Sequence, residues 1–196
     1  MSDRCLRDAA TILIAATVSL GCAQPRRGAS AAIEPASTQP TTYPAVYAAL
    51  SSPEWSPELQ ALIVPPIGWQ PSILPAKFNA HHQVWVSPSG RTAYGVIRFS
   101  LPLPAPHDPV LWVFLKEMRR KEGQADLLQK AWDPAGRGLR AVIEGGRYTI
   151  RLTVTIRGLS GWMTYAGTLR DHPVEPDELH TAEAARDQTG LGRKRD

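Results

Sequence analysis

Cysteine is nearly absent from this chain. Two occur in 196 residues, Cys5 and Cys22, and both lie close to the start. A disulfide framework or a cysteine-based structural metal site is therefore excluded for everything beyond them. Long apolar runs are missing too, since none reaches the ~20 residues a bilayer-spanning helix needs. No block of consecutive Lys or Arg suggests a nucleic-acid tail, the runs Arg119-Arg120-Lys121 and Arg193-Lys194-Arg195 being only three residues long. The formal net charge of +4 comes from 22 basic residues scattered among 18 acidic ones, which points away from nucleic acid and names no partner. Catalytic patterns are likewise absent. Gly158-Leu159-Ser160-Gly161 has the outline of a nucleophile elbow, but Trp162 stands where that pattern needs glycine, and the stretch lies between two strands. Ser87 and Ser89, beside Pro88 and Gly90, are turn formers before they are nucleophiles for His82. PSGRT (88–92) and EGGRY (144–148) are hairpin turns, not phosphate loops. The five histidines, His81, His82, His107, His172 and His180, form no helical i, i+4 ligand pair with a Glu base. The sequence assigns no catalytic residue, metal or cofactor.

What is present begins at the N-terminus. Arg4 and Arg7 precede an apolar stretch from Ala9 to Leu20, followed by Ser19-Leu20-Gly21-Cys22. This resembles the bacterial lipobox, in which signal peptidase II cuts before a cysteine that carries a diacylglycerol. Ser19 departs from the pattern, which prefers Leu there. The resemblance implies a signal peptide over 1–21 and a lipidated Cys22. An ordinary secretory signal or an uncleaved N-terminal helix is the alternative. Multiple acyl chains anchor a protein stably, so the expected partner at this end is membrane lipid, and the expected location is the bacterial cell envelope.

Residues 22–43 are rich in Ala, Pro, Ser, Thr and Gln, and too poor in large apolar residues to offset the entropy of ordering. They read as a linker with a reach of about 25 Å. A globular domain over 44–190 and a charged tail over 191–196 complete the organisation.

Within the domain, Pro44–Leu50 and Ser56–Val64 read as short helices, the second with Ser56 as N-cap and Pro57 at the first turn. The compact part is expected to begin at Gly68-Trp69. His82–Ser87 and Arg91–Leu101 read as a hairpin, with Gly95 marking a bulge or a close backbone approach. Asp108-Pro109 starts a helix whose Leu111, Phe114, Leu115 and Met118 recur at helical spacing. Gln124–Trp132 reads as its continuation or a second helix, packed through Ala125 and Leu128. On it Asp126 shares a helix face with Glu122. Gly138–Glu144 is a strand, and Gly145-Gly146 a turn with positive φ. Pro176–Thr189 is a helix with a thin apolar face of Leu179, Ala182 and Ala185, expected to dock peripherally.

The strongest local signal is Arg147–Arg170. From Tyr148 to Ile156 alternation is strict, with Tyr148, Ile150, Leu152, Val154 and Ile156 on one side. Arg147, Thr149, Arg151, Thr153, Thr155 and Arg157 take the other. Arg suits planar anions, so Arg147, Arg151 and Arg157, with Arg98 and Arg140 as extensions from other strands, are the candidate ligand-binding residues. The plain alternative is a solvated sheet face.

Hairpin-linked strands with helices between them make an α+β domain, an antiparallel sheet of about five strands. Its order of strands and helices over about 69–189 resembles the PsbP-like fold. The blocks VWVSPSGRTAYGVI (84–97) and GWMTYAGTLR (161–170) resemble uncharacterised bacterial lipoproteins. The PsbP-like resemblance implies a non-catalytic accessory or assembly domain; with the anchor, the tether, the missing catalytic constellation and the Arg face, the expectation is an envelope domain that binds a protein partner or an anionic ligand. The competing expectation is an envelope hydrolase or lipid-handling enzyme, its site assembled from His82, Glu122 and Tyr94.

Overall fold

A computed structural model describes residues 49–77 and 80–192. The lipidation candidate Cys22, the signal and linker segments and most of the charged tail lie outside the described residues. Two short strands come first, β1 (Glu54–Ser56) and β2 (Ala61–Ile63), then β3 (Gln70–Lys77), β4 (Ala80–Val86) and β5 (Thr92–Ser100). Helix α1 (His107–Glu122) follows, then β6 (Ala125–Trp132), β7 (Leu139–Gly145), β8 (Tyr148–Arg157), β9 (Ser160–Leu169), α2 (Pro176–Gln188) and β10 (Gly190–Leu191). An antiparallel seven-stranded sheet has the order β3-β4-β5-β9-β8-β7-β6, and β1-β2-β10 form a small second sheet.

β8 is central because its alternation serves two layers. Ile150, Leu152 and Val154 join Phe114, Leu115 and Met118 of α1 in the larger core. α1 stops at Gly123, whose φ of 77° turns the chain left-handed while its N–H donates to the Arg119 carbonyl. It begins at His107, two residues before the expected first position Pro109, because Pro106 and not Asp108 takes the cap position, with extended backbone and no side-chain cap bond. Asp108 is thereby released to reach Lys130 on β6 at 3.0 Å. On the opposite face, Trp85, Tyr94, Val96 and Ala166 pack against Leu59, Ile63, Ala182 and Ala185. The small residues Thr181, Ala182 and Ala185 let α2 lie close over the central strands, so it is not peripheral.

Several expectations are corrected. Ser56–Val64 is not a helix. The Ser56 hydroxyl does accept the Leu59 amide at 3.3 Å, but the single turn it closes is reversed at Gln60, φ 47°, into β2. The fold accordingly starts before Trp69, with Leu50 bridged to Pro66. β3 carries Pro71 and Pro75, which hide a strand from sequence reading and are tolerated at a sheet edge. Gln124–Trp132 is a strand because the left-handed Gly123 ends the helix and β7 supplies a ladder; pairing overrides a helix-prone composition. Asp126 therefore does not share a helix face with Glu122; it lies on β6 and meets Arg119. Gly145 and Gly146 do not take positive φ. They are needed for space, since a Cβ on either would press on Glu122 at the end of α1. Leu191 opens no tail, being paired with Ala61.

Gly95 marks a close approach, as expected, and it has a counterpart. A Cβ at Gly95 would overlap the Tyr165 ring, and one at Gly161 would overlap the Phe99 ring. Each glycine stands directly opposite the aromatic residue it accommodates.

Candidate binding surface

The register does bring Arg98, Arg140, Arg151 and Arg157 to one face of the sheet, opposite Trp162, Thr153, Ala166 and Ser160 respectively. That face is covered by α2 and the small sheet, and its arginines are engaged. Arg151 meets Glu183 of α2 at 3.3 Å. Arg157 donates to the Leu191 carbonyl at 2.6 Å, and Arg98 to the Glu58 carbonyl. Arg140 and Arg137 flank the buried Asp133 and reach Asp187 at the end of α2. Burial pushes the Asp133 carboxyl up, but the Ala135 amide and the Arg137 and Arg140 guanidinium groups outweigh it and hold the group below its ordinary range. Arg147 stands apart, exposed in the β7–β8 turn, its amide donating to Glu122 at 3.3 Å.

His82, Glu122 and Tyr94 are not brought together. His82 opposes Ile97 on the α1 side of the sheet, where its Nε2 meets the Tyr165 hydroxyl at 3.0 Å. Burial lowers its pKa to about 3, so the ring is neutral, and Nδ1 has no partner among the described residues. Tyr94 is on the other side, bonded to the Thr189 hydroxyl at 2.6 Å. Glu122 ends α1 beside the β7–β8 turn, and burial raises its pKa. Gly158 and Leu159 form the β8–β9 turn, and Ser160 and Gly161 open β9. Among the described residues no group of three His, Cys, Asp or Glu is spaced to hold a metal ion, and no helix is long and apolar enough to cross a membrane.

A different surface stands out. Trp112 on α1 is 56% exposed, and Leu128 and Trp132 on β6 are 55% and 64% exposed. Their setting follows from how β6 lies along α1. The Asp108–Lys130 ion pair joins the two elements at one end. At the other, the Arg119 guanidinium donates to the Ala125 carbonyl at 2.7 Å. The His107 and Trp132 rings meet edge to face with centroids 5.0 Å apart. An open cleft of about 340 Å³ is lined by Trp112, Val113, Lys116 and Arg119. Its lining joins the Trp112 ring and the Val113 side chain to the two cations Lys116 and Arg119, which is chemistry for binding a side chain. Sequence reasoning missed this surface. Trp112 precedes Lys116 by one helical turn on the wet side of α1, and that placement was legible. Trp132 was hidden by the helical reading of its segment.

No family model matches this chain, and no curated protein matches it. Among solved structures it is similar to the solution structure of cyanobacterial PsbP (CyanoP) from Synechocystis sp. PCC 6803. The TM-score is 0.55 at 14% identity, covering 80% of this chain and 98% of that one. A crystal structure from Bacteroides thetaiotaomicron aligns with a TM-score of 0.37 at 13% identity over 72% of this chain and 48% of that one. The first likeness shows a PsbP-like fold.

Proposed function

We propose that this chain is a lipid-anchored envelope protein whose α+β domain is a non-catalytic accessory module that binds a partner through the α1–β6 surface. The observation that carries the reading is the exposure of Trp112 on α1 and of Leu128 and Trp132 on the adjoining β6, with Trp112 lining a cleft. Large apolar side chains grouped at a surface cost solubility and mark interaction sites. The PsbP-like fold is consistent with an accessory role, as an analogy of fold only. The anchor rests on the lipobox resemblance at Cys22. A site for an anion at Arg147, Arg151 and Arg157 has less support, because Arg151 and Arg157 already hold Glu183 and the Leu191 carbonyl.

Two measurements test this. Cys22→Ala is expected to abolish acyl labelling and release the chain from membranes; labelling that survives would sink the anchor. A photocrosslinking residue at position 112 or 132 is expected to capture a defined envelope protein, and one at exposed position 67 is not. Equal capture from all three positions would remove the surface from consideration.

A further inference from the structure

β6 ends the seven-stranded sheet, and among the described residues no strand pairs with its outer edge. The groups that edge offers follow from its hairpin with β7. The Asp133 amide donates to the Gly138 carbonyl at 2.8 Å. Bonded and non-bonded pairs alternate along an antiparallel ladder. With Ala131 opposite Arg140 and Gln129 opposite Val142, those two residues aim their backbone groups at β7. Lys130 and Trp132 aim theirs outward. Their side chains oppose Ala141 and Leu139 and so rise on the α1 side. There the cleft of Trp112, Val113, Lys116 and Arg119 lies. A further strand bonded to Lys130 and Trp132 would send every second side chain into that cleft.

Charge then selects the strand. Lys130 is held by Asp108 at 3.0 Å, and Arg119 by Asp126 at 4.0 Å. Lys116 lines the cleft, and no ion pair engages it among the described residues. Apolar residues against Trp112 and Val113, with a carboxylate against Lys116, would complete the cleft. We infer that β6 accepts an extended segment of a partner protein by strand addition, the segment alternating apolar and acidic side chains toward α1. This rests on the proposal that the α1–β6 surface is a binding surface. The register shift between Leu127 and Gln129 confines pairing to the stretch after it and blunts indiscriminate edge association. A lipid surface fits less well, because the outward backbone groups of Lys130 and Trp132 would lose their hydrogen bonds in hydrocarbon. A second copy fits less well too, because the carboxylates beside its own β6, Asp108 and Asp126, are already paired.

The test uses the full chain in detergent with an acetylated octapeptide of the repeat Val-Thr-Glu-Thr, whose one face alternates valine and glutamate, and a second in which lysine replaces each glutamate. Binding is read by tryptophan fluorescence, and amide exchange at Lys130 and Trp132 by NMR. The glutamate peptide is expected to bind at least about tenfold tighter than the lysine peptide and to slow both amides at least about tenfold. Lys116→Glu reverses the preference. Lys130→Pro, which removes an outward N–H while sparing the ladder to β7, lowers affinity at least about tenfold. Amide signals of β5, β8 and β9 that stay unchanged in Lys130→Pro show that the variant is folded. No binding at about 1 mM peptide, equal binding of the two peptides, or unchanged binding by Lys130→Pro overturns strand addition. So does concentration-dependent self-association that protects the same amides, or binding to phosphatidylglycerol vesicles that Trp112→Ala abolishes while the peptides fail. Peptide failure alongside a defined crosslink from position 112 overturns strand addition and leaves the binding surface standing. Failure of both removes both.

Discussion

On its α1 side the seven-stranded sheet presents Ile143, Ile150, Leu152, Val154 and Met163, all buried. On its α2 side it presents Thr153, Thr155 and Thr164, also buried, among Arg140, Arg151 and Arg157. The two faces are closed by different chemistry. The first is sealed by area, with large side chains interdigitating beneath a helix that supplies Phe114, Leu115 and Met118. The second is sealed by pairing as well. Trp162 Nε1 donates to the Leu59 carbonyl at 2.8 Å, Thr155 to the Arg137 carbonyl at 2.6 Å, and Arg151 meets Glu183. An apolar contact tolerates small shifts, whereas a buried hydrogen bond fixes direction. The α2 side therefore sets where its cover sits, and the α1 side supplies more of the stability.

That contrast can be broken by mutation. Phe114→Ala should cost about 3–5 kcal/mol, since it removes a fully buried ring and leaves a cavity; urea denaturation measures it, and a loss below about 1 kcal/mol would refute an area-sealed face. Acid gives the next largest effect. His82 is held neutral, its pKa lowered to about 3 by burial, while the unfolded ring titrates near 6.5. The unfolded state thus binds the extra proton, and this contribution is lost as pH falls below about 6.5, by about 2 kcal/mol at pH 5. Glu122, raised by burial, acts in the opposite direction nearer the carboxylate range. His82→Gln should flatten the stability profile between pH 7 and 5; an unchanged slope would clear His82. Asp133, held low by its partners, adds a further loss only on stronger acidification.

Trp162→Phe probes the other face. It keeps most of the ring but leaves the Leu59 carbonyl without its donor, at about 1–2 kcal/mol. A neutral result would mean that the bond contributes no orientation. Smallest of all, Arg151→Ala should cost about 0.5 kcal/mol or less, because both partners of that ion pair are a third exposed. The same variant bears on anion binding. Phosphate affinity that drops with Arg151→Ala and Arg157→Ala would restore these residues as ligands.

Legibility followed the same division. Strict alternation disclosed β8, and with it the hairpins β4–β5 and β8–β9 and the sheet-facing stripe of α1. Where two faces carry different chemistry, period two is visible. β6 carries Asp126, Leu127, Leu128, Gln129 and Lys130, a composition without β-branched residues, and only its neighbour β7 makes it a strand. β1 and β2 are too short to show a period. The Arg register was readable and its cover was not, because Ala182 and Ala185 look too small to bury anything. Their smallness is what admits α2 to the middle of the sheet. The exposed α1–β6 surface was half legible, Trp112 from its place on α1 and Trp132 not at all.

The glycine–aromatic pairs of β5 and β9 have a consequence for how the chain finds this arrangement. Gly95 faces Tyr165, and Phe99 faces Gly161. Sliding one strand past the other by two residues keeps every side chain on its proper face, so hydrophobic patterning alone does not forbid it. The slide would set Tyr165 against Ala93 or Ile97, and Phe99 against Leu159 or Met163. No backbone hollow would then receive either ring. The two glycines act as notches cut for two teeth, one on each strand, and they admit a single alignment at the centre of the sheet.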